Sequence, residues 1–462
     1  MLMNNRSSLS WKQYALIAST VFGLFFGAGN LIFPVSLGQQ AANNIFSTGA
    51  GFLSTAILLP LLGIVAIAAT RARGVYDLAK PVGHKYATFL MVALFVLIGP
   101  AYAMPRLATV PYTIAFEQYV KPSHSALFLF IFSLLFFGLT YILSVNENKI
   151  SDVIGKYLNP LFLVLVIILL GFIIFKPMGS TAGFNAVAPY NTAPFTNGFL
   201  QGYGTMDALA SLEFGILAVT FVANLGVKEP KKNAITTFKA GLFGILGMGI
   251  IYAGLMYAGA TSLNHFPIGA NGGVVLAQIA EYYFGPFGSA IFAAIAGLAC
   301  ITTAIGLASA FGVAFHERWP RFSYRTYVAV PVFLSFLLAN VGLTELIKIS
   351  VPFLFFVYPL AITLIILSLT RPLFHGARPV YVWVTSLTLI SSVLDAAAGF
   401  KDLIKAQWLH DLVDWAIKYV PLYKYQLDFI VPALIGLVIG LIIYMANRQK
   451  YIAAYKPTLN ND

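Results

Sequence analysis

Apolar residues in this chain come in long unbroken runs, not in the alternation of a half-buried strand or the single stripe of a surface helix. Leu161 to Phe175 carries no charge, and with Tyr157 to Pro160 it is long enough to cross a hydrocarbon core of about 30 Å. The same pattern predicts about twelve spans of ~20 residues. They fall near 13–36, 49–70, 86–108, 126–145, 157–175, 197–225, 234–260, 287–315, 326–342, 349–370, 379–397 and 428–447. The expected fold class is an all-α polytopic membrane protein.

Two of the runs are interrupted in their middles. The first reads Phe22-Gly23-Leu24-Phe25-Phe26-Gly27-Ala28-Gly29-Asn30, and the second Gly202-Tyr203-Gly204-Thr205-Met206-Asp207 with Glu213 beyond it. Glycine leaves backbone unshielded, and irregular backbone at membrane depth is tolerated only where it is buried in protein or lines a cavity. Paired Gly-interrupted segments in two halves of a chain point to the binding site of a secondary transporter. Their separation, near the length of five helices plus loops, predicts a first repeat over 13–175 and a second over 197–370. An odd number of spans per repeat makes the second copy inverted. Helices 11 and 12, near 379–447, lie outside the repeats.

Composition agrees. With 59% hydrophobic and 10% charged residues and a mean hydropathy of +0.83, a water-soluble globule is excluded. The net charge of +12 reads as positive-inside asymmetry, not nucleic-acid binding. With the N-terminus inside, twenty of the 28 basic residues fall on the cytoplasmic side, among them Arg71, Arg73, Lys80, Lys85, Arg318, Arg321 and Arg325. Both termini are expected in the cytoplasm and the chain in the cell membrane. The first apolar segment lacks a small-residue cleavage site and is expected to serve as a span. Cys300 is the single cysteine, which leaves no disulfide or thiolate metal site. Leu403–Val420 and Gly272–Tyr283 read as short interfacial helices on the outer side. In the first of these, Leu403, Ile404, Trp408, Leu412, Trp415 and Ile417 form the apolar face.

The candidate chemistry gathers at the breaks. A half-helix starting after Gly27-Ala28-Gly29-Asn30 offers unpaired N–H groups to a carboxylate, and the half-helix ending there frees carbonyls for a cation. Asp207 and Glu213 are the only acids placed at membrane depth. Asp207 is open to three roles: ligand contact, N-cap, or partner to a base. Glu213 is the candidate for a proton-coupling group. Arg106, the lone base within a span, follows Pro100 and Pro105, which bend the third span. It is expected to form an outer gate with Asp207 or to snorkel. On the eighth span, Thr302 and Thr303 offer hydroxyls to an alkali cation or bond back to their own helix.

These motifs resemble the branched-chain amino acid:cation symporters of the amino acid–polyamine–organocation superfamily. The resemblance rests on Phe26 to Pro34, on Gly99-Pro100 through Pro105-Arg106-Leu107-Ala108-Thr109, and on Gly202-Tyr203 through Thr205-Met206-Asp207-Ala208. It implies a five-plus-five inverted repeat of the leucine-transporter type, with helices 1 and 6 broken and two extra C-terminal helices. It implies import of leucine, isoleucine and valine by alternating access, coupled to Na+ or H+, with no other cofactor. Substrate is expected at Gly27, Ala28, Gly29, Asn30, Tyr203, Gly204, Thr205 and Asp207. By similarity, a sodium ion would be held by Gly23, Phe26, Ala299, Thr302 and Thr303, and Asn30 is a weaker candidate for a second. An enzyme is not expected: the Gly-x-Gly-Asp run of intramembrane aspartyl proteases is absent, two residues separating Gly204 from Asp207.

Overall fold

The computed structural model describes residues 10–455 apart from 118, 146–149, 228 and 402. Each of the twelve expected spans coincides with a helix or a pair of helices. In chain order these are α1 (Trp11–Phe25), α2 (Ala28–Ala41), α3 (Ile45–Leu53), α4 (Leu59–Thr70), the short α5 (Val75–Ala79), α6 (His84–Val96), α7 (Ala103–Tyr112), α8 (Pro122–Val145) and α9 (Ile150–Phe175). The second half runs α10 (Pro194–Gln201), α11 (Asp207–Asn224), α12 (Pro230–Ser262), α13 (Gly272–Arg318), α14 (Tyr324–Ala339) and α15 (Leu343–Leu369). Then follow α16 (Arg378–Phe400), α17 (Gln407–Tyr419), α18 (Ile430–Ala446) and α19 (Arg448–Ala454).

Among the described residues, eight helical stretches are long and apolar enough to cross a bilayer alone, or nine with α18 and α19 taken as one bent span. The count falls below twelve because α1 ends at the first break after 15 residues while α2 to α4 run as one stretch. The apolar part of α9 (Leu163–Phe175), α14 with 16 residues and α18 with 17 are also short. The first break is two residues, Phe26 and Gly27, both in extended backbone. The second is a 3₁₀ turn over Gly202–Thr205, ended by Met206 in the left-handed region at φ 65°. In the third span a π-turn over Leu97–Ala101, with Gly99 off helical geometry, makes the expected bend.

Packing exchanges the two halves as an inverted repeat requires. The first broken pair, α1 and α2, lies against α12, and the second, α10 and α11, lies against α3 and α4. Glycines bring these backbones together. A β-carbon on Gly38 would enter the Met256 carbonyl, and one on Gly259 would enter that of Val35. At the other junction, Gly51 meets Phe195 and Gly198 meets Thr48 in the same manner. A second group, α7, α8, α13 and α14, packs alongside, and α16 and α18 join through α15.

The two interfacial segments are helical with corrections: α17 begins only at Gln407, so Leu403 and Ile404 of the expected apolar face lie before the helix. Gly272–Phe284 is the first part of α13, split from the rest at Gly285 (φ 67°) and Pro286. In α17 the face turned to the protein is Leu409, Val413 and Ala416, whereas Trp408, Trp415 and Ile417 are exposed. Small and aliphatic residues allow the close contact with α16, and the indoles are left for a headgroup region.

Candidate functional site

The two breaks meet through one hydrogen-bonded cluster. Asn30 folds back one turn so that its Oδ1 accepts from the Gly27 N–H at 2.8 Å. Its Nδ2 donates to Asp207 Oδ2, also at 2.8 Å. Tyr252, from α12, donates its hydroxyl to the same Asp207 oxygen at 2.8 Å and touches Asn30 Nδ2. All three side chains are buried. Of the roles left open for Asp207, capping is set aside: Met206 occupies the cap position, and the carboxylate turns across to the first break. Thr205 is tied locally, its Oγ1 donating to the Gly202 carbonyl at 3.0 Å. Because Gly27 and Asn30 bond each other, the donors left at the start of α2 are the N–H groups of Ala28 and Gly29.

Arg106 is buried to 3% exposure, so snorkelling is set aside. Its Nη1 donates to the Gly204 carbonyl at 2.6 Å. The guanidinium also lies 4.3 Å over Tyr102, with Phe33 at 5.2 Å on another side. It rests on Gly29, where a β-carbon would stand 2.8–3.0 Å from three guanidinium atoms. Its Nε has no partner. The ion pairs among the described residues are Lys232–Glu229, Lys348–Glu345 and Lys401–Asp414. Arg106 and Asp207 are therefore unpaired with each other, and the expected gate contact is absent from this conformation. A carbonyl at the end of a broken helix is a strong acceptor, and here it takes the guanidinium.

Tyr203 stacks on Tyr358 of α15 with ring centroids 3.9 Å apart, and both hydroxyls are buried without partners. A cavity of about 200 Å³ opens beside them, lined by Phe33, Tyr102, Tyr190, Gln201, Tyr203, Gly204 and Gln426, among others. Tyr190, in the loop before α10, has its hydroxyl pushed above the usual tyrosine range by burial. A larger apolar groove of about 310 Å³ between α15, α16 and α18 touches neither break.

Of the helix 1–helix 8 residues, Thr303 comes up against the first break. A β-carbon on Gly27 would lie 3.9 Å from Thr303 Cγ2. Thr302 and Thr303 both donate to the Ala299 carbonyl, at 2.7 and 3.3 Å. Glu213 stands apart from this centre. One carboxylate oxygen is close to Gly74, the Val75 backbone N–H faces the carboxylate, and Oε1 has no partner. It thus docks on the connection between α4 and α6. Three acidic or phenolic groups were not anticipated. Tyr252 reads in sequence as one more aromatic of an apolar helix. Asp395 and Asp428 are both buried, so Asp207 and Glu213 are not the only acids at depth. Each sits near the edge of a predicted span, where an aspartate reads as interfacial until the fold closes over it.

A family model described as branched-chain amino acid transport protein matches residues 10–447. The chain belongs to that family. It is 40% identical over 444 residues to the branched-chain amino acid permease BraB of Bacillus subtilis (strain 168), covering 95% of this chain and 97% of the relative. It is 39% identical over 430 residues to the permease BrnQ of Lactobacillus delbrueckii subsp. lactis, at 92% and 96% coverage. It is 36% identical over 425 residues to BrnQ of Escherichia coli (strain K12), at 91% and 93% coverage. These relatives are named as permeases, not enzymes. In fold the chain is similar to Mhp1, a nucleobase-cation-symport-1 family transporter, in a closed conformation with bromovinylhydantoin bound. That match has a TM-score of 0.56 at 13% identity, over 97% of this chain and 94% of the other. The inward-facing conformation of Mhp1 matches with a TM-score of 0.53 at 14% identity, over 92% and 98%. The family member is thus a multi-pass membrane protein of the leucine-transporter-like fold.

Proposed function

We propose that this chain is a secondary active symporter that imports leucine, isoleucine and valine by alternating access, coupled to Na+ or H+. The observation that carries this reading is the pair Arg106 and Asp207. A basic and an acidic side chain are buried where the two helix breaks meet, and neither has the other as partner. An isolated buried charge is costly, and an α-amino acid zwitterion answers both at once. Arg106, with the N–H groups of Ala28 and Gly29, receives the carboxylate. Asp207 and the carbonyls of the breaks face the ammonium. Phe33 and its apolar neighbours take the branched side chain. The names of the 34–40% identical relatives support the substrate class.

Two places bear on the coupling ion. Carbonyls of Gly23, Phe26 and Ala299 and the hydroxyls of Thr302 and Thr303 form a hard oxygen set suited to an alkali cation. Thr303 spends its hydrogen on Ala299 and keeps lone pairs for a cation. Glu213 is the alternative for a proton. The basic-residue asymmetry supports cytoplasmic termini in the cell membrane, with repeats over about 13–175 and 197–370.

The deciding experiment is labelled-leucine uptake into proteoliposomes under separately imposed inward sodium and proton gradients. Sodium-driven uptake lost in Thr303→Ala supports the helix 1–helix 8 cation set. Proton-driven uptake lost in Glu213→Gln moves coupling to α11. No concentrative uptake under either gradient overturns the reading.

A further inference from the structure

Two aspartates lie buried outside the two breaks. Asp395 is near the end of α16 at 1% exposure, and Asp428, at 0%, closes the loop into α18. Their carboxyls are within hydrogen-bonding reach of each other, with Ser391 beside Asp428. Among the described residues no lysine, arginine or histidine pairs with either. Asp395 Oδ1 and both oxygens of Asp428 find no donor. The buried hydroxyls of Thr388 and Ser392, seven and three residues before Asp395 on the same helix face, are also without partners.

Two carboxylates in contact in a dry site cannot both stay ionised, because repulsion adds to the desolvation of each. A single proton between them removes one charge and supplies the missing donor. The titratable groups near enough to feel the charge of the pair are two tyrosines. Tyr423, on the loop before α18, is already committed, its hydroxyl donating to the Leu394 carbonyl at 2.8 Å. Tyr203, from the second break, is 2% exposed and its hydroxyl has no partner. The loop that carries Asp428 also reaches the cavity at the breaks through Gln426.

We propose that Asp395 and Asp428 form a proton-binding pair, one proton held between two carboxyls, whose occupancy is conveyed to the second break through Tyr203. When the proton leaves, the doubled negative charge draws the Tyr203 hydroxyl towards the pair and away from the cavity. When it returns, that hydroxyl is released. The effect on binding rests on the transport reading; the existence of the pair does not.

The test is infrared difference spectroscopy of the full chain in lipid nanodiscs at neutral pH, joined to leucine binding measured across pH. Wild type minus Asp395→Asn, and wild type minus Asp428→Asn, are expected to show the C=O stretch of a protonated carboxyl. Both variants lose one proton-linked step from the leucine affinity profile. Tyr203→Phe keeps the band and loses the step, which a merely structural pair does not predict. Asn retains shape and hydrogen-bonding capacity; if both aspartate variants fail to fold, the Tyr203→Phe profile decides. A spectrum unchanged by both substitutions, or a pH profile unchanged by all three, overturns the proposal. A wild type without the band that responds instead to added sodium overturns it in favour of an alkali cation. Absence of leucine binding in wild type sinks the transport reading and leaves the band to judge the pair.

Discussion

Arg106 lies directly on Gly29, so close that a β-carbon there would come within 2.8–3.0 Å of its guanidinium. The same guanidinium holds the Gly204 carbonyl, and one side chain thereby spans both breaks. Gly29→Ala is expected to displace the far end of a flexible side chain and leave the helices in place. Losing a charge-assisted hydrogen bond is worth about 1.5–3 kcal/mol, roughly 10–100-fold in affinity. Leucine affinity should fall by that factor with thermal stability nearly unchanged. Equal loss of both would mean that Gly29 serves packing alone.

Gly38→Ala and Gly259→Ala should behave in the opposite way. Their β-carbons meet backbone carbonyls of the facing helix, which have no rotamer by which to yield. Overpacking of this kind costs about 1–3 kcal/mol or more. Reduced yield and an earlier melting transition are expected, and near-normal uptake from well-folded Gly38→Ala protein would contradict the contact.

Tyr252→Phe removes one of two donors to Asp207 Oδ2 and leaves Asn30 in place. A loss of about 1 kcal/mol in stability is expected, with uptake reduced. Asn30→Ala should be worse, since it frees the Gly27 N–H as well as removing the hydrogen bond to Asp207. The order of the two variants in a thermal-shift assay checks the assignment; a milder Asn30→Ala would refute it.

Glu213→Ala and Glu213→Gln should separate. Gln keeps an acceptor for the Val75 N–H, whereas Ala leaves that amide and the space beside Gly74 unfilled. Protease nicking of the α4–α6 connection should rise in Glu213→Ala and stay at the wild-type level in Glu213→Gln. Equal nicking would show that Glu213 does not hold the connection.

Both breaks were legible from residue types alone, because glycine and polar side chains at membrane depth demand an irregular, protected backbone. The spans followed from uninterrupted apolar length. What joined the breaks was not legible. Tyr252 meets Asn30 only because close glycine packing sets the position of α12 against α2, and nothing local to Tyr252 signals it. Charge alone pairs Arg106 with Asp207, yet each finds a nearer partner, in a broken-helix carbonyl and in an amide. Asp395 and Asp428 are separated by α17 and its loops, so their meeting depends on how α16 and α18 close.

The glycine contacts between α2 and α12, and their counterparts between α3 and α10, limit how access to the centre can change. Carbonyls seated against α-carbons leave no slack for one half-helix to swing about its own break. The halves α2 and α10 are each clamped to a neighbour, so the packing resists either of them swinging alone. The clamped pairs α2–α12 and α3–α10 are therefore each expected to move as a unit when access to the centre changes.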